Sequence, residues 1–118
     1  MAFLVQLVDD VVVNRFEINN DKLTIGRHPS NDIHIDEDAI SGYHAVASGS
    51  TNPHFKDYKE YFIEDLNSTN GTFVNDEKVI GKVRLHHNDL LRMAWNKFKF
   101  IDELEGELEK TVHMIKDV

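Results

Sequence analysis

Two stretches carry residues whose types and spacing could do chemistry. Residues 26–32 read GRHPSND and residues 41–44 read SGYH. An arginine in a turn offers a fixed fork of donors that matches phosphate oxygens. Serine and threonine hydroxyls and turn N–H groups add further donors. A third stretch, LNSTNGT (66–72), supplies Thr69 and Asn70. The Asn70 amide has both a donor and an acceptor, enough to hold the C=O and N–H of an extended peptide whatever its side chains. Together these groups describe a small anion site with a peptide clamp. Ser-Thr-Asn-Gly is equally an ordinary turn, in which Gly71 supplies a positive φ. His44 fits a buried imidazole bonded to backbone.

The elements that must position these groups are short β-type runs. They fall at 3–8, 11–18, 22–25, 33–35, 43–48, 60–65, 72–74, 78–80, 83–86, 89–94 and 97–101, divided by turn clusters. Such a series predicts an all-β, mostly antiparallel sandwich. Asp9-Asp10 is expected to close a two-residue hairpin. If 43–48 and 60–65 are antiparallel neighbours, the chain enters 43 and leaves 65 at the same end. Ser41, Thr69 and Asn70 then share that end. Arg27 joins them if the short run 33–35 crosses the rim. The stretch 49–59 lies at the far end and reads as a long solvated loop, with Lys56, Tyr58, Lys59 and Tyr61 nearby as a second surface.

Beyond residue 101 the pattern changes. Ile101, Leu104, Leu108, Val112 and Ile115 recur at helical spacing, with acids at the start and Lys110, His113 and Lys116 toward the end. The expected organisation is a sandwich over 1–101 and an acidic amphipathic α-helix over 102–118. Gly106 and the like-charge pairs Glu103/Glu107 and Glu105/Glu109 weaken that helix alone. Its apolar stripe therefore needs a surface: the sandwich, another subunit or a coiled-coil partner.

Composition excludes several function classes. The 118 residues carry 21 acids against 13 bases, and 102–118 alone hold 6 acids and 2 bases. No basic stripe exists to neutralise nucleic-acid phosphates or to hold an anionic membrane. Any phosphate site must be local. Cysteine is absent, which removes thiolate and disulfide chemistry and suits the cytoplasm. The N-terminus MAFLVQLVDDVVV has neither the basic start nor the cleavage site of a signal peptide. The seven histidines are scattered, and no HExxH, Walker loop or triad spacing occurs. No enzyme activity, metal or cofactor is expected.

In order along the chain, GR (26–27), SND-I (30–33), S-x-x-H (41–44), DLNSTNGTFVN (65–75) and L-x-x-x-DLL (85–91) resemble the forkhead-associated (FHA) domain. The resemblance covers about 3–101. It implies an eleven-stranded β-sandwich that reads phosphothreonine in a partner protein through loops at one end. Position by position, it implies that Arg27 binds the phosphate and that Ser41 and Thr69 donate hydroxyls to it. Asn70, with Gly42 beside it, would meet the peptide backbone just after the phosphothreonine. Gly26, His44 and Gly71 would be structural, as a tight turn, a loop brace and a positive-φ residue. The family's pocket for the threonine methyl would favour phosphothreonine over phosphoserine.

Several positions depart from the family pattern. Gly42 stands where an arginine or asparagine often faces the peptide. Ala39, followed by Ile40, suggests an apolar or undemanding preference three residues past the phosphothreonine. Asp36, Glu37 and Asp38 should repel acidic peptides. Asn88 replaces a glycine, which its access to αL allows. Met93-Ala94-Trp95 replaces a glycine turn with bulk, leaving Trp95 either core or an exposed contact. Gly42, the acidic loop and the amphipathic tail favour the alternative function: a phosphate-independent interaction or self-assembly module using the sandwich surface and the helix.

Overall fold

The computed structural model describes residues 1–19 and 22–107, leaving aside the side chains of 52 and 55–58. Among these described residues eleven strands form: β1 (Ala2–Val8), β2 (Val11–Glu17), β3 (Lys22–Gly26), β4 (Ile33–His34), β5 (Ala45–Asn52), β6 (Phe55–Asp65), β7 (Phe73–Val74), β8 (Glu77–Lys78), β9 (Lys82–Leu85), β10 (Leu90–Met93) and β11 (Asn96–Asp102). One sheet has the order β2-β1-β11-β10-β7-β8 and the other β4-β3-β5-β6-β9. The expected β-sandwich is the fold, and β3–β4 is its parallel pair. Between the sheets lie Leu4, Ile25, Ile33, Ile63, Leu85, Leu91, Met93, Phe98 and Phe100, all 2% exposed or less. Their burial supplies the main driving force for folding.

Turn chemistry sets the registers. Asp9 and Asp10 both take positive φ (51° and 64°), the type I′ pattern whose twist matches a hairpin. Asn75 and Asp76 do the same between β7 and β8. Asn88 sits at φ 74°. Ala94 has φ 55° in the two-residue turn that joins β10 to β11. That conformation favours glycine and explains the bulk in this turn only by exposure: Trp95 is 70% exposed, so it is not core.

Three expectations need correction. Residues 49–59 are not a loop. β5 and β6 stay paired from Ala45↔Asp65 through Thr51↔Lys59 and turn at 53–54. Among the described residues, the hairpin beyond β3 and β9 has no further strand beside it, so it lacks the apolar alternation of a strand over a core. Tyr61 is buried, its ring 5.5 Å from that of Phe100, and offers no second surface. The run 33–35 does not cross the rim. β4 lies parallel beside β3, Ile25 opposite Ile33, and β3 itself delivers Arg27 to the rim.

Ile101 belongs to β11, opposite Phe3, rather than to a helical stripe. Helix α1 covers 103–107 of the described residues. Asp102 caps it, accepting the Leu104 N–H at 3.2 Å. Its first turn packs on the sandwich: Glu105 accepts the His87 N–H at 3.0 Å, and Gly106 lies so close to the His87 ring that a Cβ there would meet Nε2 at 2.9 Å. Leu108, Thr111, Val112 and Ile115 lie outside the described residues. Among the described residues, no helix is long and apolar enough to cross a membrane.

Candidate functional site

β3 ends at the rim, and the chain beyond it is stitched to the loop entering β5. The Arg27 N–H donates to Ser41 O at 2.9 Å, His28 N–H to Gly42 O at 3.0 Å and His44 N–H to Ile25 O at 2.9 Å. This extends the β3–β5 ladder past the strands and fixes Arg27 beside Ser41. Gly26 is required by close approach rather than by turn geometry: a Cβ there would stand 2.3 Å from Gly42 O and 2.8 Å from Asn31 Nδ2. Asn31, 7% exposed, gives its amide N–H groups to His28 O and Gly42 O, both at 2.8 Å. The Gly42 carbonyl is thus turned to these two donors, and a Cβ at Gly42 would meet nothing within 4 Å.

The loop after β6 joins the same rim. Thr69 N–H donates to Ser41 Oγ at 3.0 Å. Asn70 Nδ2 donates to Ala39 O at 2.8 Å. His44 is fully buried between the two loops. Its Nδ1 accepts the Ser41 N–H at 3.1 Å, so Nε2 carries the proton and donates to Gly71 O at 2.9 Å. Gly71 itself takes φ 84°. Arg27, Ser41, Thr69 and Asn70 therefore share one rim, with Gly26, Gly42, His44 and Gly71 holding the three loops together beneath them.

Among the described residues, this network leaves donors open. Ser41 Oγ accepts from Thr69 and keeps its own proton. Asn70 retains one N–H and its oxygen. The guanidinium of Arg27, 46% exposed, meets only Asp38, with Nη1 3.6 Å from an Oδ1 that is wholly in solvent. So exposed a pair is worth little and is displaceable. A two-charged oxyanion could take the fork, the hydroxyl and nearby amides together.

Sequence reasoning missed several supports. Asp65 accepts from Ser68 Oγ at 2.5 Å, Thr72 Oγ1 at 2.8 Å and Ser68 N at 3.1 Å, and Gly71 N–H donates back to Ser68 Oγ at 2.9 Å. Burial pushes the Asp65 carboxyl up, but these hydrogen bonds outweigh it and hold its pKa below the usual carboxylate range. The Asp-x-x-Ser spacing in DLNS was the available signal. On the other loop, the rings of His28 and Tyr43 stack at 5.3 Å, and Ser30 Oγ lies 2.7 Å from His28 Nδ1 and 3.2 Å from Tyr43 Oη. Ile40 is fully buried, so it cannot face a peptide as the pairing with Ala39 suggested. It anchors the loop instead.

Comparison with known proteins settles the family. The family model of the FHA domain matches residues 23–94. The chain belongs to the FHA family. It is 36% identical over 77 residues to the transcriptional regulatory protein EmbR of Mycobacterium tuberculosis, covering 64% of this chain and 18% of that protein. It is 32% identical over 84 residues to the oxoglutarate dehydrogenase inhibitor of Corynebacterium jeikeium, covering 61% and 54%. Thus this FHA chain spans at most about half the length of these curated relatives. Among solved structures, EmbR in complex with a low-affinity phosphopeptide superposes with a TM-score of 0.70 at 28% identity, covering 85% of this chain and 24% of that one. The FHA domain of the CT664 protein from Chlamydia trachomatis gives 0.73 at 23%, covering 86% and 96%, which speaks for the fold.

Proposed function

We propose that this FHA domain is a protein-interaction module, not an enzyme, that binds phosphothreonine in a partner protein. The phosphate is held by the Arg27 guanidinium with hydroxyl protons from Ser41 and Thr69. The free half of the Asn70 amide takes the peptide main chain, across the space at Gly42 where a Cβ would meet nothing within 4 Å. The observation that carries this reading is the pair of bonds through Ser41. Its carbonyl receives Arg27 N–H at 2.9 Å and its hydroxyl oxygen receives Thr69 N–H at 3.0 Å, so Arg27, Ser41 and Thr69, from three loops, share one rim. The phosphopeptide complex of the similar protein EmbR supports the same use of the fold. A cytoplasmic setting suits a chain without cysteine.

The test is fluorescence polarisation with a degenerate phosphothreonine peptide library and its unphosphorylated twin. Micromolar-range binding of the first and none of the second is expected. Arg27→Ala removes charge-assisted bonds worth about 1.5–3 kcal/mol each, so binding falls by roughly a hundredfold while the melting temperature stays put. Equal binding of both libraries overturns the reading and favours a phosphate-independent module.

A further inference from the structure

The loop 35–40 is fastened along its length. Ile35 and Ile40 are buried at its two ends. Between them, Glu37 Oε2 accepts from Asn96 Nδ2 at 2.8 Å, and Ala39 O accepts from Asn70 Nδ2 at 2.8 Å. This fastening sets the backbone on either side of Asp38, whose exposed carboxylate reaches to 3.6 Å from Arg27 Nη1.

Building on the phosphothreonine reading, we propose that Asp38 is a built-in competitor for the phosphate-binding guanidinium and restricts the site to phosphothreonine carried on a basic segment. An aspartate or glutamate in the place of phosphothreonine would only exchange one carboxylate at Arg27 for another, while still paying to immobilise a peptide. A phosphate brings close to two charges and three acceptor oxygens, and so displaces Asp38. Once displaced, Asp38 still stands at the rim beside Asp36, where it repels an acidic flank.

The surface next to it continues the same selection. A trough of about 460 Å³ is lined by Val8, Asp9, Asp10, Glu37, Trp95 and Lys97. Glu37 is its shared wall with the Asp38 loop. Three carboxylates face one amine there, and the exposed indole of Trp95 offers a face for a cation or for the methylene stem of a lysine or arginine. Such a field accelerates and tightens binding of basic segments and suppresses acidic ones.

Three degenerate libraries test this: phosphothreonine with lysine-rich flanks, phosphothreonine with glutamate-rich flanks, and lysine-rich flanks around a central glutamate. The native domain should prefer the first over the second by about tenfold and leave the third unbound. Asp38→Asn, an isosteric change at an exposed side chain, should tighten both phosphothreonine libraries by about threefold and narrow the preference between them. Weaker or unchanged binding by Asp38→Asn, or an unchanged preference, overturns the proposal while phosphate dependence stands. Native binding that ignores phosphate brings down this proposal together with the reading beneath it.

Discussion

The two ends of the sandwich are built from the same polar turn residues but commit their hydrogen bonds differently. At the end holding α1, donors finish on acceptors close by: His86 N–H on Asp89 at 2.7 Å, His87 N–H on Glu105 at 3.0 Å, Asp102 N–H on the His87 ring at 3.1 Å and Glu103 N–H on Met1 O at 3.1 Å. The Arg15 guanidinium nearby lies over the Phe3 ring and bonds Glu103. At the opposite end the backbone is tied just as densely, yet among the described residues Arg27 meets only the exposed Asp38 carboxylate, and the Ser41 proton and half of the Asn70 amide are left over. A turn that satisfies itself is a cap. A turn that satisfies its backbone and leaves side-chain donors over has the form of the preorganised site proposed above.

The sharpest way to break this contrast is Gly26→Ala. The added methyl would lie 2.3 Å from a backbone oxygen, that of Gly42, and backbone cannot swing aside as a flexible side chain can. Either β3 or the 41–44 loop must shift, parting Arg27 from Ser41. A loss of about 3 kcal/mol in urea unfolding is expected, with phosphothreonine-library binding lost as well. Little loss of stability would mean that the loops are not rigidly coupled and that the site is not preorganised.

Asp65→Asn tests the same end from beneath. It replaces a carboxylate that accepts three hydrogen bonds with an amide that must turn a donor toward some of them, costing about 1–2 kcal/mol at neutral pH. The sign of the pH dependence follows from the lowered pKa. The unfolded chain takes up the proton first on acidification, so Asp65 contributes fully above the unfolded carboxylate range. That contribution disappears as pH falls through the lower native value. The gap in stability between native protein and Asp65→Asn should therefore be constant near neutrality and shrink in acid. A gap that widens in acid would contradict the hydrogen-bonded carboxylate.

How much of this was legible in the sequence depended on distance along the chain. Strand runs and turn residues are local, so the sandwich and the Asp9-Asp10 hairpin could be read directly, whereas the αL site at Asn88 came from the family resemblance. The shared end of Ser41, Thr69 and Asn70 followed from strand direction alone. The outer β5–β6 hairpin was invisible because its ladder lies beyond the neighbouring strands, and without a core to face it carries no alternation. The inward-turned Gly42 carbonyl, the Asp38–Arg27 contact and the burial of Ile40 depend on which loops touch. Spacing does not encode that. Gly26 is needed for a reason other than the tight turn expected of it: its own geometry is that of a strand end, and only the approach of a distant carbonyl demands the missing side chain.

The smallest expected effect isolates the capped end. Glu105→Ala takes the acceptor from His87 N–H and the contact to His86 Nδ1 at 3.1 Å. The His86 contact is half in solvent, so most of the cost lies in the freed backbone N–H, about 1 kcal/mol. Alanine favours the helix and recovers a few tenths of that. Phosphothreonine-library affinity should not change, because this turn and the Arg27 rim lie at opposite ends of the sandwich, and distant sites contribute independently. If removing this cap did weaken binding, the two ends would be energetically coupled through the sheets, and the division of labour drawn between them would have to be abandoned.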